Sequence, residues 1–350
     1  MATFMLIFAT ALIFAIGGTP LAKRIAVRVG AVDQPGARKI HTSPIPLLGG
    51  LAIYGAFLIA LLLFADRFYV PQLIGIVIGA TWVSFLGIWD DHVGLGVGLK
   101  LGGQVFGALI LIATGLTADV FHQPMIDIPI TLIWVVGITN AMNLLDNMDG
   151  LSGGVAACAA AFFVLIASLN GQYLVGSLAA ALLGASVGFL IYNFNPASIF
   201  MGDTGSLFLG FILAAVGLKL RFTGHPDIVT WLTPVLVLGL PIFDTTLVVV
   251  SRLRRRLNPL THGGTDHLSH RLRAKGYTAR ETVLSLYLVS VILGVLAMFA
   301  VQAGAVENYI VGSVALAAGV LGLWNFELRL PARTDQASLS KAERGPTRGA

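Results

Sequence analysis

The 350 residues are 56% hydrophobic and 11% charged, with 41 glycines, whereas about a quarter of an ordinary soluble domain is charged. A water-soluble enzyme, a disordered chain and a disulfide scaffold are thereby excluded, the last because Cys158 is the single cysteine. The formal charge of +5 would suit nucleic acid, but in a membrane chain basic residues report orientation, and no nucleic-acid partner is expected.

A helix needs about 20 apolar residues to cross roughly 30 Å of hydrocarbon. The pattern predicts an all-α, polytopic membrane bundle of about eleven spans, with ten as the alternative. They fall near 3–20, 46–65, 71–88, 101–117, 129–145, 152–169, 173–191, 205–220, 228–250, 283–301 and 306–325. The fifth and eighth are the shortest readings, and the fifth ends in Asn140, Asn143 and Asp146, which would be costly against lipid. The first is expected to stay as a span, because no Lys or Arg precedes it and Lys23, Arg24 and Arg28 follow it. With the amino terminus outside and the carboxyl terminus cytoplasmic, 19 of the 22 Lys and Arg residues fall inside; only Arg67, Lys219 and Arg221 fall outside. Residues 1–330 read as one membrane-embedded domain, with inside loops near 21–45, 89–100, 146–152, 192–204 and 251–282. The polar stretch 331–350 reads as a disordered cytoplasmic tail.

Taken in chain order, the inside loops carry the chemistry. The first holds Asp33, Lys39 and His41 in DQPGARKIH. Asp90 and Asp91 close the third span, and Lys100 opens the fourth. An adjacent carboxylate pair attracts a divalent cation or a phosphate-bound proton, and the lysine suits phosphate; a solvated loop is the plain alternative. In TNAMNLLDNMDGLSGG, a helix turning about 100° per residue puts Asn140, Asn143, Asp146 and Asn147 within roughly 120° of arc. Asp149 and Gly150 follow, and glycines 150, 153 and 154 allow a tight turn. Interhelical hydrogen bonds would explain one or two such residues, but not five in ten positions.

The seventh loop, YNFNPASIFMGDTGS, places Asp203 at the start of the eighth span, where free N–H groups suit phosphate oxygens. A simple helix cap is the alternative there. Asp244 lies inside the ninth span, a site candidate without a legible partner. In the ninth loop, His267 and His270 with Asp266 and Arg271 form a weak zinc pattern and a more natural phosphate-binding cluster. Arg252, Arg254, Arg255 and Arg256 read as anchors to anionic lipid. Every polar constellation falls in an odd-numbered, inside loop, with only Asp244 deeper, which favours one cytoplasmic site. Acids, amides and phosphate donors at a membrane surface suggest metal-assisted phosphoryl transfer between a soluble donor and a lipid acceptor. A secondary transporter is the reading of a different class, but it would place such groups near the midplane.

From residue 33 to 273 the chain resembles the polyprenyl-phosphate N-acetylhexosamine-1-phosphate transferases of glycosyltransferase family 4. The resemblance is carried by DQPGARKIHTSPIPLLGG, the DD pair with Lys100, NAMNLLDNMDGLSGG, NPASIFMGDTGS, PIFD and DHLSHRL. It implies transfer of a HexNAc-1-phosphate, GlcNAc-1-phosphate first among them, from a UDP-sugar to undecaprenyl or decaprenyl phosphate with release of UMP. That would be the first membrane step of a cell-surface glycan, at the cytoplasmic face of the inner membrane, in a monomer or homodimer. Magnesium is the implied metal, with manganese as its substitute, held by Asp203 and Asn143. By the same resemblance, Asp90, Asp91, Lys100 and Asp146 carry catalysis, with Asp90 or Asp91 on the lipid phosphate. Asp149, Phe200 and Asn195 meet the nucleotide. His267, His270, Arg271, Lys39 and His41 hold sugar and phosphate. A three-histidine run in the ninth loop goes with the MurNAc-pentapeptide branch of the family. DHLSHRL departs from that run, and Asp266 and Arg271 stand where another form of the motif has outer histidines, which favours a simple UDP-HexNAc donor.

Overall fold

The structure, a computed structural model, describes residues 1–34, 44–64, 70–222, 225 and 227–329. The tail expected to be disordered lies outside the described residues. Helix α1 (Ala2–Val29) leads into a short antiparallel pair, β1 (Val32–Asp33) with β2 (Ile45–Pro46), in which Val32 faces Pro46 and Asp33 faces Ile45. Then follow α2 (Gly49–Leu63), α3 (Val70–Val93), α4 (Val97–Ala113), α5 (Pro124–Leu145), α6 (Leu151–Leu169), α7 (Tyr173–Asn193) and α8 (Gly202–Lys219). The chain continues through α9 (Asp227–Val237), α10 (Gly239–Arg254), the short α11 (Leu268–Ala274), α12 (Ala279–Gln302) and α13 (Ala305–Leu323), which runs into one π turn, Trp324–Leu328.

A helix stands at each of the eleven expected positions, and eight of these helices are long and apolar enough to cross a bilayer singly, or nine spans if α9 and α10 count as one bent span. The expected fifth and eighth spans pass that test, at 22 and 18 residues. The short helices are instead α2 and α4, with 15 and 17 residues. At 1.5 Å per residue these reach only about 25 Å. Part of the stretch read as the second span is β2, which is why its helix starts late.

The ninth span is not one straight helix. α9 and α10 meet at an angle of 71° at Leu238. Pro241 in the first turn of α10 has no N–H to return to Val237, so the ladder that would carry α9 straight through is broken there.

Helix α8 is the axis of the bundle: 83% of its apolar stretch is buried, against none for α13. Helices α2, α3, α5, α6 and α7 all contact it. A helix apolar on every side belongs in such a position, and α8 has buried residues on every face from Thr204 to Leu218. Several hydroxyls inside the bundle bond back to their own helices, as Thr139 does to the Val135 carbonyl at 2.6 Å, whereas those of Ser84, Ser177 and Ser186 have no partner among the described residues. The central position of α8 matters because its first turn carries Asp203.

Candidate active site

The first turn of α8 is built by contacts from three neighbours. Gly202 has φ +67, a left-handed conformation, and a Cβ there would lie 2.5 Å from an Asp91 carboxylate oxygen, so glycine is required twice over. Asp91, on the last turn of α3, accepts from the Asp203 N–H at 2.8 Å, and from the N–H and hydroxyl of Thr204 at 3.1 and 2.9 Å. The helix-start amides read from sequence as phosphate donors are therefore taken at these two positions by a side chain reaching across from another helix. Asp203 is also not the cap of α8, since Met201 precedes the helix and Asp203 lies within its first turn.

Asp203 points into a polar cluster. Its Oδ1 accepts from Asn143 Nδ2 at 2.8 Å, and its Oδ2 accepts from Lys100 Nζ. The Lys100 ammonium also donates to Asn143 Oδ1 at 3.0 Å and pairs with Asp90 Oδ2 at 2.8 Å. Its three N–H bonds thus have three oxygen partners, from α3, α5 and α8. Asp90 is fixed further by the Leu95 N–H, which donates to its Oδ1 at 2.6 Å. The two adjacent aspartates therefore differ in role: Asp91 braces α8, whereas Asp90 faces the lysine.

One turn deeper, Gln104 of α4 and Asn140 of α5 bond to each other through both side-chain amides, directly beneath the Lys100 and Asn143 pair. Asn140 is thus a contact between helices. The predicted four-residue polar arc also shortens, because α5 ends at Leu145 and Asp146 is its C-cap. Only Asn140 and Asn143 share a helical face. Asp146, half-buried beyond the helix end, forms no side-chain hydrogen bond or ion pair among the described residues. Burial, with the carboxylates of Asp203, Asp91 and Asp149 nearby, pushes its carboxyl up to about 8.

Next to it, Asp149 Oδ2 accepts from Asn195 Nδ2 and from the Ala197 N–H, both at 3.0 Å, which ties the fifth and seventh loops together. The turn after Asp149 needs Gly150, with φ +77, whose N–H donates to Asn193 Oδ1 at 3.0 Å and whose carbonyl accepts from the Tyr287 hydroxyl. Phe200 donates its N–H to the Pro46 carbonyl at 2.8 Å and accepts from the Gly49 N–H at 2.9 Å, joining the seventh loop to the start of α2. Lys39 and His41 lie outside the described residues.

The histidine loop joins the same end of the bundle. Asp244, 1% exposed on α10, finds its partner here: Oδ2 bonds His267 Nδ1 at 2.8 Å and Oδ1 accepts from the Leu268 N–H at 2.7 Å. Ser269 donates to Asn147 Oδ1 at 2.6 Å, so this loop touches the fifth. Burial and the neighbouring His267 hold the His270 imidazole below its usual range.

Three of the four arginines assigned to lipid anchoring pair instead with acids of the fold, and Arg256 keeps an exposed position. Buried Arg252 pairs with Asp266 at 3.2 Å and donates to the Pro259 carbonyl, Arg255 also pairs with Asp266, and Arg254 pairs with Glu327 at 3.0 Å. Arg271, read as a phosphate ligand, directs its donors to the Asp266 and Phe326 carbonyls and to Glu327 Oε2. A buried acid in reach explains each departure from the sequence reading. No local pattern pointed to Glu327, which lies 56 residues from Arg271. Ser206, which accepts from Asn143 at 2.9 Å, was legible only as part of GDTGS.

The arrangement brings carboxylates, one ammonium, amides and a histidine pair to one end of a membrane bundle. Residues 73–221 match a family described as glycosyl transferase family 4. The chain is similar to a Bacillus subtilis protein named as a probable undecaprenyl-phosphate N-acetylglucosaminyl 1-phosphate transferase, with 38% identity over 292 residues and 80% of each chain covered. It is 32% identical over 315 residues to the decaprenyl-phosphate N-acetylglucosaminephosphotransferase of Mycolicibacterium smegmatis, covering 80% of this chain and 77% of that one. With the phospho-N-acetylmuramoyl-pentapeptide-transferase of Bacillus cytotoxicus it shares 31% identity over 279 residues, covering 73% and 83%.

Proposed function

Because this chain belongs to the polyprenyl-phosphate N-acetylhexosamine-1-phosphate transferases of glycosyl transferase family 4, we propose that it moves GlcNAc-1-phosphate from UDP-GlcNAc to a polyprenyl phosphate. In that reaction an oxygen of the lipid phosphate attacks the sugar-linked phosphorus of the donor. The P–O bond to UMP breaks, and polyprenyl-diphosphate-GlcNAc remains in the membrane. The observation that carries the reading is the Lys100 ammonium held between Asp90, Asp203 and Asn143, which joins three separate motifs at one point.

A magnesium ion fits these residues. Three oxygens already converge on one positive charge, and Asp146 adds, beside carboxylates, a carboxyl that has no partner among the described residues. Oxygen donors of this kind, few in number, suit a cation that keeps waters and takes phosphate oxygens. Asp203 and Asn143 would hold it, and when bound it would neutralise charge on the donor diphosphate. Lys100 supplies the protein's own positive charge for phosphate oxygens. Asp90, facing Lys100, orients the lipid phosphate; a phosphate monoester has its second pKa near 6, so alignment matters more than proton removal. Asp149, Phe200 and Asn195 recognise the uracil end, and His267 with His270 grips the sugar phosphate.

The donor is a simple HexNAc rather than a MurNAc-pentapeptide on this reading. Asp266 and Arg271, the positions where DHLSHRL departs from a histidine run, are both engaged in buried ion pairs. Arg271 already directs Nε, Nη1 and Nη2 to partners within the fold, and Asp266 is taken by two arginines. On this reading the site opens to the cytoplasmic face of the inner membrane, which the basic inside loops support.

The test is UMP release by purified protein given UDP-GlcNAc, undecaprenyl phosphate and magnesium, with UDP-GalNAc and UDP-MurNAc-pentapeptide in parallel. Release from UDP-GlcNAc alone is expected. No UMP from any of the three donors would sink the transferase reading.

A further inference from the structure

Helix α11, which carries His270 and begins just after His267, has only seven residues, too few to hold its own position. Its orientation is set from outside. On one side, Asp244 holds His267 and the Leu268 N–H, and Asn147 accepts from Ser269. On the other, Arg271 donates through Nη2 to Glu327 Oε2 at 2.6 Å and through Nη1 to the Phe326 carbonyl. Glu327 is 6% exposed, and its Oε1 accepts from Arg254 at the end of α10 at 3.0 Å. The last carbonyls of a helix have no partner within it, and here those of Phe326 and Glu327, in the π turn after α13, are both taken by arginines of the ninth loop. The Lys275 ammonium lies 4.4 Å from the centre of the Phe326 ring.

A buried carboxylate between two arginines is a poor device for stability alone, because desolvation offsets most of the attraction. It is a good device for geometry. Arg271 directly follows His270, so fixing its guanidinium fixes the roll of α11 and the direction of both imidazoles.

We propose that Glu327 is a positioning residue for donor binding: acting through Arg271, it locks the histidine loop in the orientation that receives the sugar phosphate. This rests on the reading of His267 and His270 as the sugar-phosphate grip. Among the described residues, no hydrogen bond or ion pair joins Glu327 or Arg271 to Asp90, the residue read as orienting the lipid phosphate, or to Lys100.

The experiment compares Glu327→Gln, Glu327→Asp and His270→Gln in the purified full chain, with KM for UDP-GlcNAc and for undecaprenyl phosphate measured separately. Losing a charged hydrogen bond to Arg271 should raise the donor KM of Glu327→Gln roughly tenfold. The acceptor KM and kcat should stay within about twofold, and Glu327→Asp, which keeps the charge, should show a smaller rise. If Glu327→Gln does not fold, Glu327→Asp carries the same comparison. A raised donor KM in His270→Gln with none in the Glu327 variants would overturn the lock alone. Equal rises in both KM values, or a loss of folded protein with unchanged KM, would overturn it as well. An unchanged donor KM in His270→Gln would instead remove the sugar-phosphate reading, and the role of Glu327 with it.

Discussion

The carboxylate of Asp91 accepts the backbone N–H of Asp203 at 2.8 Å, across the interface between α3 and α8. This contact separates two aspartates that are adjacent in sequence and would otherwise look interchangeable. Asp91→Ala should uncap the first turn of α8, at a cost of about 1–2 kcal/mol, and lower activity with the melting temperature. Asp90→Asn should leave the melting temperature within a few degrees and cut kcat about 100-fold or more. Thermal unfolding in detergent alongside steady-state kinetics checks the split, and equal thermal losses for both would refute it.

Lys100 balances Asp90 and Asp203 at once. Lys100→Met should leave the two carboxylates facing each other and abolish measurable turnover, and Lys100→Arg should restore little of it. A guanidinium is flat and forked, whereas the three acceptors surround a point charge. Full turnover in Lys100→Arg would mean that charge, not shape, is what the site needs.

Asp203 and Asn143 are the residues proposed to hold magnesium. Manganese binding to purified protein, followed by electron paramagnetic resonance, should weaken about 10-fold or more in Asp203→Asn and less in Asn143→Ala. The readout needs no turnover. Unaltered manganese binding in both variants would place the metal elsewhere.

Asp146 gives a pH dependence with a definite sign. Its carboxyl titrates at about 8 in the folded protein against an ordinary value of 3.8, so the folded state keeps a proton that the unfolded chain has released. Stability from this group is complete below about pH 4 and is lost progressively as pH rises through about 8. In metal-free protein, Asp146→Asn should therefore raise the melting temperature little at pH 5 and by several degrees at pH 8, with no further gain above pH 9. A gap independent of pH would show that Asp146 is ionised throughout.

Asp244 holds both His267 and the Leu268 N–H from inside the bent span. Asp244→Ala should leave a buried N–H unsatisfied, costing about 1–3 kcal/mol, and should lower kcat/KM through the donor. Asp244→Asn keeps an acceptor and should lose less. Hydrogen exchange over residues 266–274 should rise in the alanine variant.

The helical bundle was legible because lipid demands long apolar helices, and that demand is written in composition. The site was legible where several polar groups crowd a helix end, as at Asn143, Asp146 and Asp203. Contacts between distant segments were not: nothing near Asp91 announces that it braces α8, and nothing near Asp244 names His267. The arginines after Ser251 carry the same charge whether they face lipid headgroups or Asp266. Only the fold places that acid beside them. The bend at Leu238 hides in a run of apolar residues, marked by Pro234, Gly239 and Pro241.

The two halves of the site differ in how they are attached. Lys100, Asn143, Asp90 and Asp203 project from helices packed around the central one, whereas His267 and His270 hang on a seven-residue helix held by a few side-chain contacts. On the proposed function this is a modular arrangement, and substitutions around α11 should retune which sugar is accepted while the phosphate chemistry stays intact. Diversification of donor preference in such a chain is therefore expected to concentrate in a short cassette around α11 rather than across the whole membrane domain.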